Sequence, residues 1–248
     1  MKKKVALVTD VLIFAGPGIV TALLQDGYEV MAQSPSFTDD NLCEEYKKQY
    51  PGATPIGIND PAQLIEHVWD KCGTVDVLVS SDSYPAICRP IEEADDLPAN
   101  LERLVVYPFN LMRAAAPKLK EQGHGKVIFV QSCRTDLPVP GGHVPDIARA
   151  GSNALAVSFS IEMAPYGIPV NAIVMNFYAS EAYFQRSRFV DNPIGSEFIK
   201  GHVPAGRLGT PEELGELVCV LANMKGSYHT GAFIKFAGGW PIAPKWPV

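Results

Sequence analysis

The chain has 248 residues, 47% hydrophobic and 19% charged, enough apolar side chain for one large core and too much for a disordered or collagen-like protein. With 21 Lys and Arg against 27 Asp and Glu, a formal net charge of -6, it lacks the basic excess that a nucleic-acid partner requires. No apolar run reaches the roughly 18 residues of a membrane span, and the stretch from Val5 to Thr9 is too short for a signal peptide, so no membrane partner is expected and the cytoplasm is the expected address.

Val5 to Thr9 is an apolar run without alternation, which predicts a strand buried on both faces. Gly16-Pro17-Gly18 opens a helix that ends near Asp26-Gly27, with Ile19, Val20, Leu23 and Leu24 at helical spacing. A strand at Tyr28 to Gln33, a helix at Asp40 to Tyr50, a short strand at Thr54 to Ile56, a helix at Pro61 to Cys72 and a strand at Val75 to Ser80 follow. Next come a long helix at about Ala99 to Glu121, a strand at Lys126 to Gln131, a helix at about Asp146 to Tyr166 and a strand at Val170 to Val174. A loop-rich insert over 176–210 precedes a helix at Pro211 to Met224 and a last strand at Ala232 to Phe236. This alternation predicts one α/β domain over 1–248, a doubly wound, Rossmann-like parallel sheet of about seven strands with helices on both faces. Ligands of such sheets bind beyond the carboxyl ends of the strands, so the segments 9–18, 80–84, 131–135 and 175–183 should converge on one site. The five cysteines are odd in number and never spaced as Cys-x-x-Cys, which predicts reduced thiols and no metal centre.

Val75-Asp76-Val77-Leu78-Val79, Gly125-Lys126-Val127-Ile128-Phe129, Ala148-Arg149-Ala150-Gly151, Arg207-Leu208-Gly209-Thr210-Pro211 and Ala237-Gly238-Gly239 resemble the short-chain dehydrogenase/reductase superfamily along nearly the whole chain. That family's nucleotide loop carries glycines where backbone amides approach a pyrophosphate. Laid on the pattern, Thr9 matches, Asp10 and Phe14 replace the first two glycines, and only Gly16 survives. The second strand ends Ala32-Gln33-Ser34, with neither an acid for a ribose diol nor an arginine for a 2'-phosphate, so no dinucleotide cofactor is expected. Thr9, Phe14 and Gly16 at this spacing, with Tyr107-Pro108-Phe109, Met175-Asn176-Phe177, Gly238-Gly239-Trp240-Pro241 and Lys245-Trp246-Pro247, resemble the halohydrin dehalogenases, an offshoot of the superfamily.

The resemblance implies a cofactor-independent lyase that converts vicinal halohydrins to epoxides with release of halide, and reopens epoxides with small anions. It implies a small-molecule substrate and a halide as ligands. The pocket is expected to involve Thr9, Phe14, Asp82, Tyr84, Met175, Asn176, Phe177, Tyr178 and Tyr183. It further implies a homo-oligomer, expected as a tetramer, in which Trp246 reaches a neighbouring subunit's site; the apolar residues spread around the helices at 99–120 and 146–166 independently call for a partner surface. In the family a serine binds the substrate oxygen, a tyrosine takes its proton, and an arginine stabilises the phenolate. Ser132 and Arg149 fit that signature, but the tyrosine position holds Pro145. Dehalogenation is therefore expected to be slow or absent unless another group takes the proton. Candidates are Asp146, His143, Tyr84 and Tyr178, with Arg134 as a possible source of positive field. Each has a structural alternative: Asp146 as a helix-start anion, His143 on a solvated loop, the tyrosines as pocket lining, Ser132 as a buried hydroxyl, and Arg149 paired to Asp146. A catalytically disabled small-molecule-binding homologue and a nicotinamide-dependent oxidoreductase stand as alternatives.

Overall fold

A computed structural model describes residues 3–241. Seven parallel strands form one sheet in the order β3-β2-β1-β4-β5-β6-β7: β1 (Val5–Val8), β2 (Glu29–Gln33), β3 (Ala53–Ile56), β4 (Val77–Ser80), β5 (Lys126–Ser132), β6 (Val170–Met175) and β7 (Phe233–Phe236). The helices are α1 (Gly16–Gln25), α2 (Asp40–Gln49), α3 (Pro61–Cys72), α4 (Leu97–Leu101), α5 (Tyr107–Gln122), α6 (His143–Met163), α7 (Arg186–Phe189), α8 (Pro193–His202) and α9 (Pro211–Asn223).

Period-two alternation in the strands divides the core between the two faces of the sheet. Leu7, Leu78, Val127, Phe129 and Val174 pack against Leu64, Val68, Leu111, Leu119 and Met163 from α3, α5 and α6. Their neighbours Val8, Val30, Val77, Ile128 and Ile173 face Ile19, Leu23, Leu214 and Val218 from α1 and α9. On that second face α1 and α9 cross closely. A Cβ on Gly215 would meet Ala22 Cβ at 2.5 Å, so the crossing tolerates no larger residue there. Strand order reverses between β1 and β4, which opens a crevice at their carboxyl ends.

Three expected boundaries are corrected. The long helix expected at 99–121 is two helices joined by a π-helical turn at Glu102–Val106. The helix expected from Asp146 begins at His143, capped at Gly142, and Pro145 sits in its first turn, where a missing N–H costs no intrahelical bond. The insert expected as loops contains α7 and α8; Asn192 caps α8 by accepting from Ile194 N, and Pro193 occupies its first turn. Among the described residues no helix is long and apolar enough to cross a membrane.

Candidate active site

The loop after β1 keeps the backbone path of a glycine loop without its first two glycines. Asp10 and Phe14, the residues standing in for them, both have φ of +53°. A bulky side chain in this left-handed region costs on the order of 1–3 kcal/mol and persists only where surrounding contacts hold it. For Asp10 the contacts are polar. Its Oδ2 accepts from Ser83 N at 3.2 Å and Ser83 Oγ at 2.9 Å, and its own N–H donates to Gln33 Oε1 at 3.3 Å. For Phe14 they are aromatic: its ring meets Tyr178 and Tyr183 edge-on, with centroids 5.6 and 4.9 Å apart. Gly16 is irreplaceable for another reason, since a Cβ there would lie 2.5 Å from Val11 Cα.

Beneath this loop lies a buried charge cluster. Arg103, on the π-helical turn, places Nη2 3.2 Å from Asp82 Oδ1 and 3.4 Å from Asp10 Oδ2, with its guanidinium over the Tyr107 ring at 4.6 Å. Asp82 also accepts from Ser80 Oγ at 2.6 Å and Thr9 Oγ1 at 3.3 Å. Burial pushes the Asp82 carboxyl above the usual carboxylate range, and Arg103 opposes that shift.

The main cavity, about 750 Å³, opens at the carboxyl ends of β5 and β6 beneath the insert. Its wall includes Phe14, Ser132, Arg134, Arg149, Met175, Asn176, Phe177, Tyr178, Tyr183, Arg188 and Trp240, with further aromatics Phe184, Phe189 and Phe198 supplied by the insert. Among the described residues, no carboxylate lines it.

The structure brings Ser132, Arg149, Phe14, Met175, Asn176, Phe177, Tyr178 and Tyr183 to this one cavity. Thr9, Asp82 and Tyr84, expected in the same pocket, do not line it. Thr9 and Asp82 are locked in hydrogen bonds under the loop, and Tyr84 faces a second cavity of about 590 Å³ beside Asp10 and Arg103. Trp246 lies outside the described residues. Ser132 Oγ donates to the Met175 carbonyl at 3.1 Å and accepts from Arg134 N at 3.2 Å.

The candidate bases fare differently. Asp146 is ion-paired with Arg134 Nε, which displaces the expected Asp146–Arg149 pair. His143 is on α6 rather than on a solvated loop, outside the cavity wall, and its Nε2 is buried with no hydrogen-bond partner among the described residues. Tyr178 is only 2% exposed, and burial, with a lesser contribution from Glu212, raises its phenol further above the ordinary value. Arg149 instead donates from Nη2 to the Tyr183 hydroxyl at 3.1 Å. Neither this contact nor the Asp10–Arg103–Asp82 cluster was legible in sequence. Trp240 and the insert aromatics were visible as apolar residues, but the helical spacing of Ile194, Phe198 and Ile199 over α8 was a signal left unread.

The family model described as enoyl-(acyl carrier protein) reductase matches residues 15–241. A halohydrin dehalogenase solved with ethyl (2S)-oxiran-2-ylacetate bound superposes with a TM-score of 0.94 at 34% identity, over 99% of this chain and 100% of that one. A structure described as a dehalogenation enzyme gives 0.92 at 33% identity, over 96% and 98%. The 3-oxoacyl-[acyl-carrier-protein] reductase FabG of Escherichia coli is 27% identical over 95% of this chain and 96% of its own length. The chain belongs to the short-chain dehydrogenase/reductase superfamily and is a halohydrin dehalogenase-like member of it.

The superfamily implies a nicotinamide dinucleotide, and the residues here do not fit one. The amides of Asp10, Val11 and Gly16 are held by Gln33 Oε1, Gln33 O and Ile13 O respectively. The Asp10 carboxylate stands where a glycine would admit a diphosphate, the Phe14 ring walls the cavity, and Gln33, at the end of β2, spends its side chain on Asp10 N and Ile58 O.

Proposed function

We propose that the chain is a cofactor-independent lyase of the halohydrin dehalogenase type, interconverting vicinal halohydrins with epoxides and small anions. The observation that carries this reading is the Phe14 ring, held at positive φ on the former nucleotide loop, as a wall of the same cavity that holds Ser132 and Arg149. The ring occupies room a nicotinamide would need and leaves an apolar pocket edged by cations. Arg134 is met by Asp146, but Arg149 and Arg188 line that pocket with no carboxylate in its wall, a balance that favours an anion. The positive edges of aromatic rings add to it.

In this mechanism Ser132 Oγ turns from the Met175 carbonyl to donate to the substrate oxygen, and Arg149 stabilises negative charge developing beside it. The halide departs toward Phe14 and Asn176. The Phe177 N–H is taken by Asn176 Oδ1 at 2.9 Å, so that amide serves the halide only if Asn176 turns away. The active form is expected to be a homo-oligomer, a tetramer, built on the exposed apolar residues Phe109 of α5 and Val157 and Ile161 of α6, which are 44%, 38% and 72% exposed.

A second reading, a small-molecule-binding homologue without catalysis, is favoured by one observation. Pro145 stands at the tyrosine position of the signature and does not line the cavity. Bromide binding tests the anion pocket common to the preferred reading. Crystals soaked in saturating bromide should give an anomalous peak between Phe14 and the 176–178 segment; a clean map there contradicts the halide site.

A further inference from the structure

With proline at position 145, a bound hydroxyl meets no proton acceptor from α6 in the cavity wall, and the fold brings a different phenol to the same arginine. Tyr183 comes from the insert, 34 residues beyond Arg149, and is half-buried against the Phe14 ring. Its hydroxyl accepts from Arg149 Nη2 at 3.1 Å and from the Tyr84 N–H at 3.1 Å, and donates to the Tyr84 carbonyl. Ser132, Arg149 and Tyr183 line one cavity. We propose that Tyr183 is the group that takes the substrate's hydroxyl proton, a phenol supplied by the insert in place of one on α6. This assignment rests on the dehalogenase-type reading above.

The other titratable candidates are spent or misplaced. Asp146 is bound by Arg134, Tyr178 lines the cavity but its hydroxyl is buried, and His143 and Tyr84 are not in the cavity wall. The coordination of Tyr183 suits the task. As a phenolate it keeps two N–H donors, one of them charged and so the stronger. The Tyr84 carbonyl, which accepts the Tyr183 proton at rest, repels the phenolate and turns away so that a substrate O–H can donate at that position. In the reaction the hydroxyl proton passes to Tyr183 Oη, and the oxygen closes on the neighbouring carbon. The carbon–halogen bond breaks with its electron pair on the departing halide, and the proton leaves Tyr183 for water at the cavity mouth. One halide, one proton and one epoxide form from each halohydrin, and epoxide opening by an anion runs the same path backwards.

The same contacts also describe a clamp holding the insert to the 80–84 loop, so the test needs a readout that a clamp alone would not give. Wild type and Tyr183→Phe are assayed for halide release from 1,3-dichloro-2-propanol, and bromide affinity is read in parallel by quenching of tryptophan fluorescence, since Trp240 lines the cavity. The expected result is a kcat lowered at least ~100-fold, with KM and bromide affinity within about threefold of wild type. A variant that keeps its kcat, or that loses kcat and bromide affinity together, overturns the assignment and leaves the dehalogenase-type reading standing. A wild type that binds bromide yet releases no halide also overturns it, because an acceptor in place should turn over. A wild type that does neither overturns both readings.

Discussion

Replacing Arg103 with methionine is expected to cost about 3–5 kcal/mol of unfolding free energy at neutral pH, read as a lowered urea midpoint with an unchanged slope. Methionine fills similar volume, so the loss is electrical. Asp10 and Asp82, 7% and 4% exposed, would face each other without the guanidinium that now bridges them. The pH dependence gives the expectation a second handle. The Asp82 carboxyl is already raised by burial, with Arg103 pulling the other way, and removing Arg103 lets it rise further. A carboxyl raised in the folded state binds its proton more tightly there than when unfolded. It therefore subtracts stability as pH rises through the folded value, and that penalty vanishes below the unfolded value of about 4. The deficit of the variant should narrow as pH falls from neutral toward that range. A deficit under about 1 kcal/mol, or one that does not change with pH, would mean that the cluster is not held by charge.

Ser132→Ala should lower kcat for halide release by about 10²–10³-fold, the usual loss when a donor to developing oxyanion charge is removed. The effect belongs in kcat because the hydrogen bond to the substrate oxygen strengthens as the proton leaves. The hydroxyl also accepts from Arg134 N and donates to the Met175 carbonyl; the carbonyl keeps the Cys133 N–H at 3.2 Å, so the variant frees only the Arg134 N–H at the cavity edge, where water replaces the lost partner. Combined with Tyr183→Phe, the two losses should fall short of their product, since both groups act on one proton transfer. A Ser132→Ala variant within about fivefold of wild type would make the serine structural.

Much of the frame was legible because its signals are local. Apolar runs such as 77–79 and 172–175, set between amphipathic helices, specify buried parallel strands by composition. The departures at Asp10, Phe14 and Gln33 were readable because a glycine loop has a fixed physical requirement that these residues violate. The structure adds that Asp10 and Phe14 keep the left-handed backbone nonetheless.

What was not legible depended on partners far apart in the chain. Arg103 bonds residues 21 and 93 positions away, and no periodicity reports such a pairing. Arg149 fits the family spacing, but its contact with Tyr183 follows from how the insert folds back over the cavity. The insert itself was read as loops because α7 spans only four residues and α8 starts at a proline, though its Asn192 cap and the spacing of Ile194, Phe198 and Ile199 were available. The helix expected from about Asp146 starts three residues earlier, at His143, which leaves the Pro145 ring in the first turn without disturbing the helix.

The central claim is carbon–halogen chemistry without a nicotinamide, and it is tested most directly by following purified protein with 1,3-dichloro-2-propanol in the absence of any dinucleotide. Chloride, titrated protons and epoxide should appear in equal amounts, and added NAD or NADP should neither bind nor change the rate. Chloride release that appears only with a dinucleotide present, or micromolar dinucleotide binding by calorimetry, would contradict it.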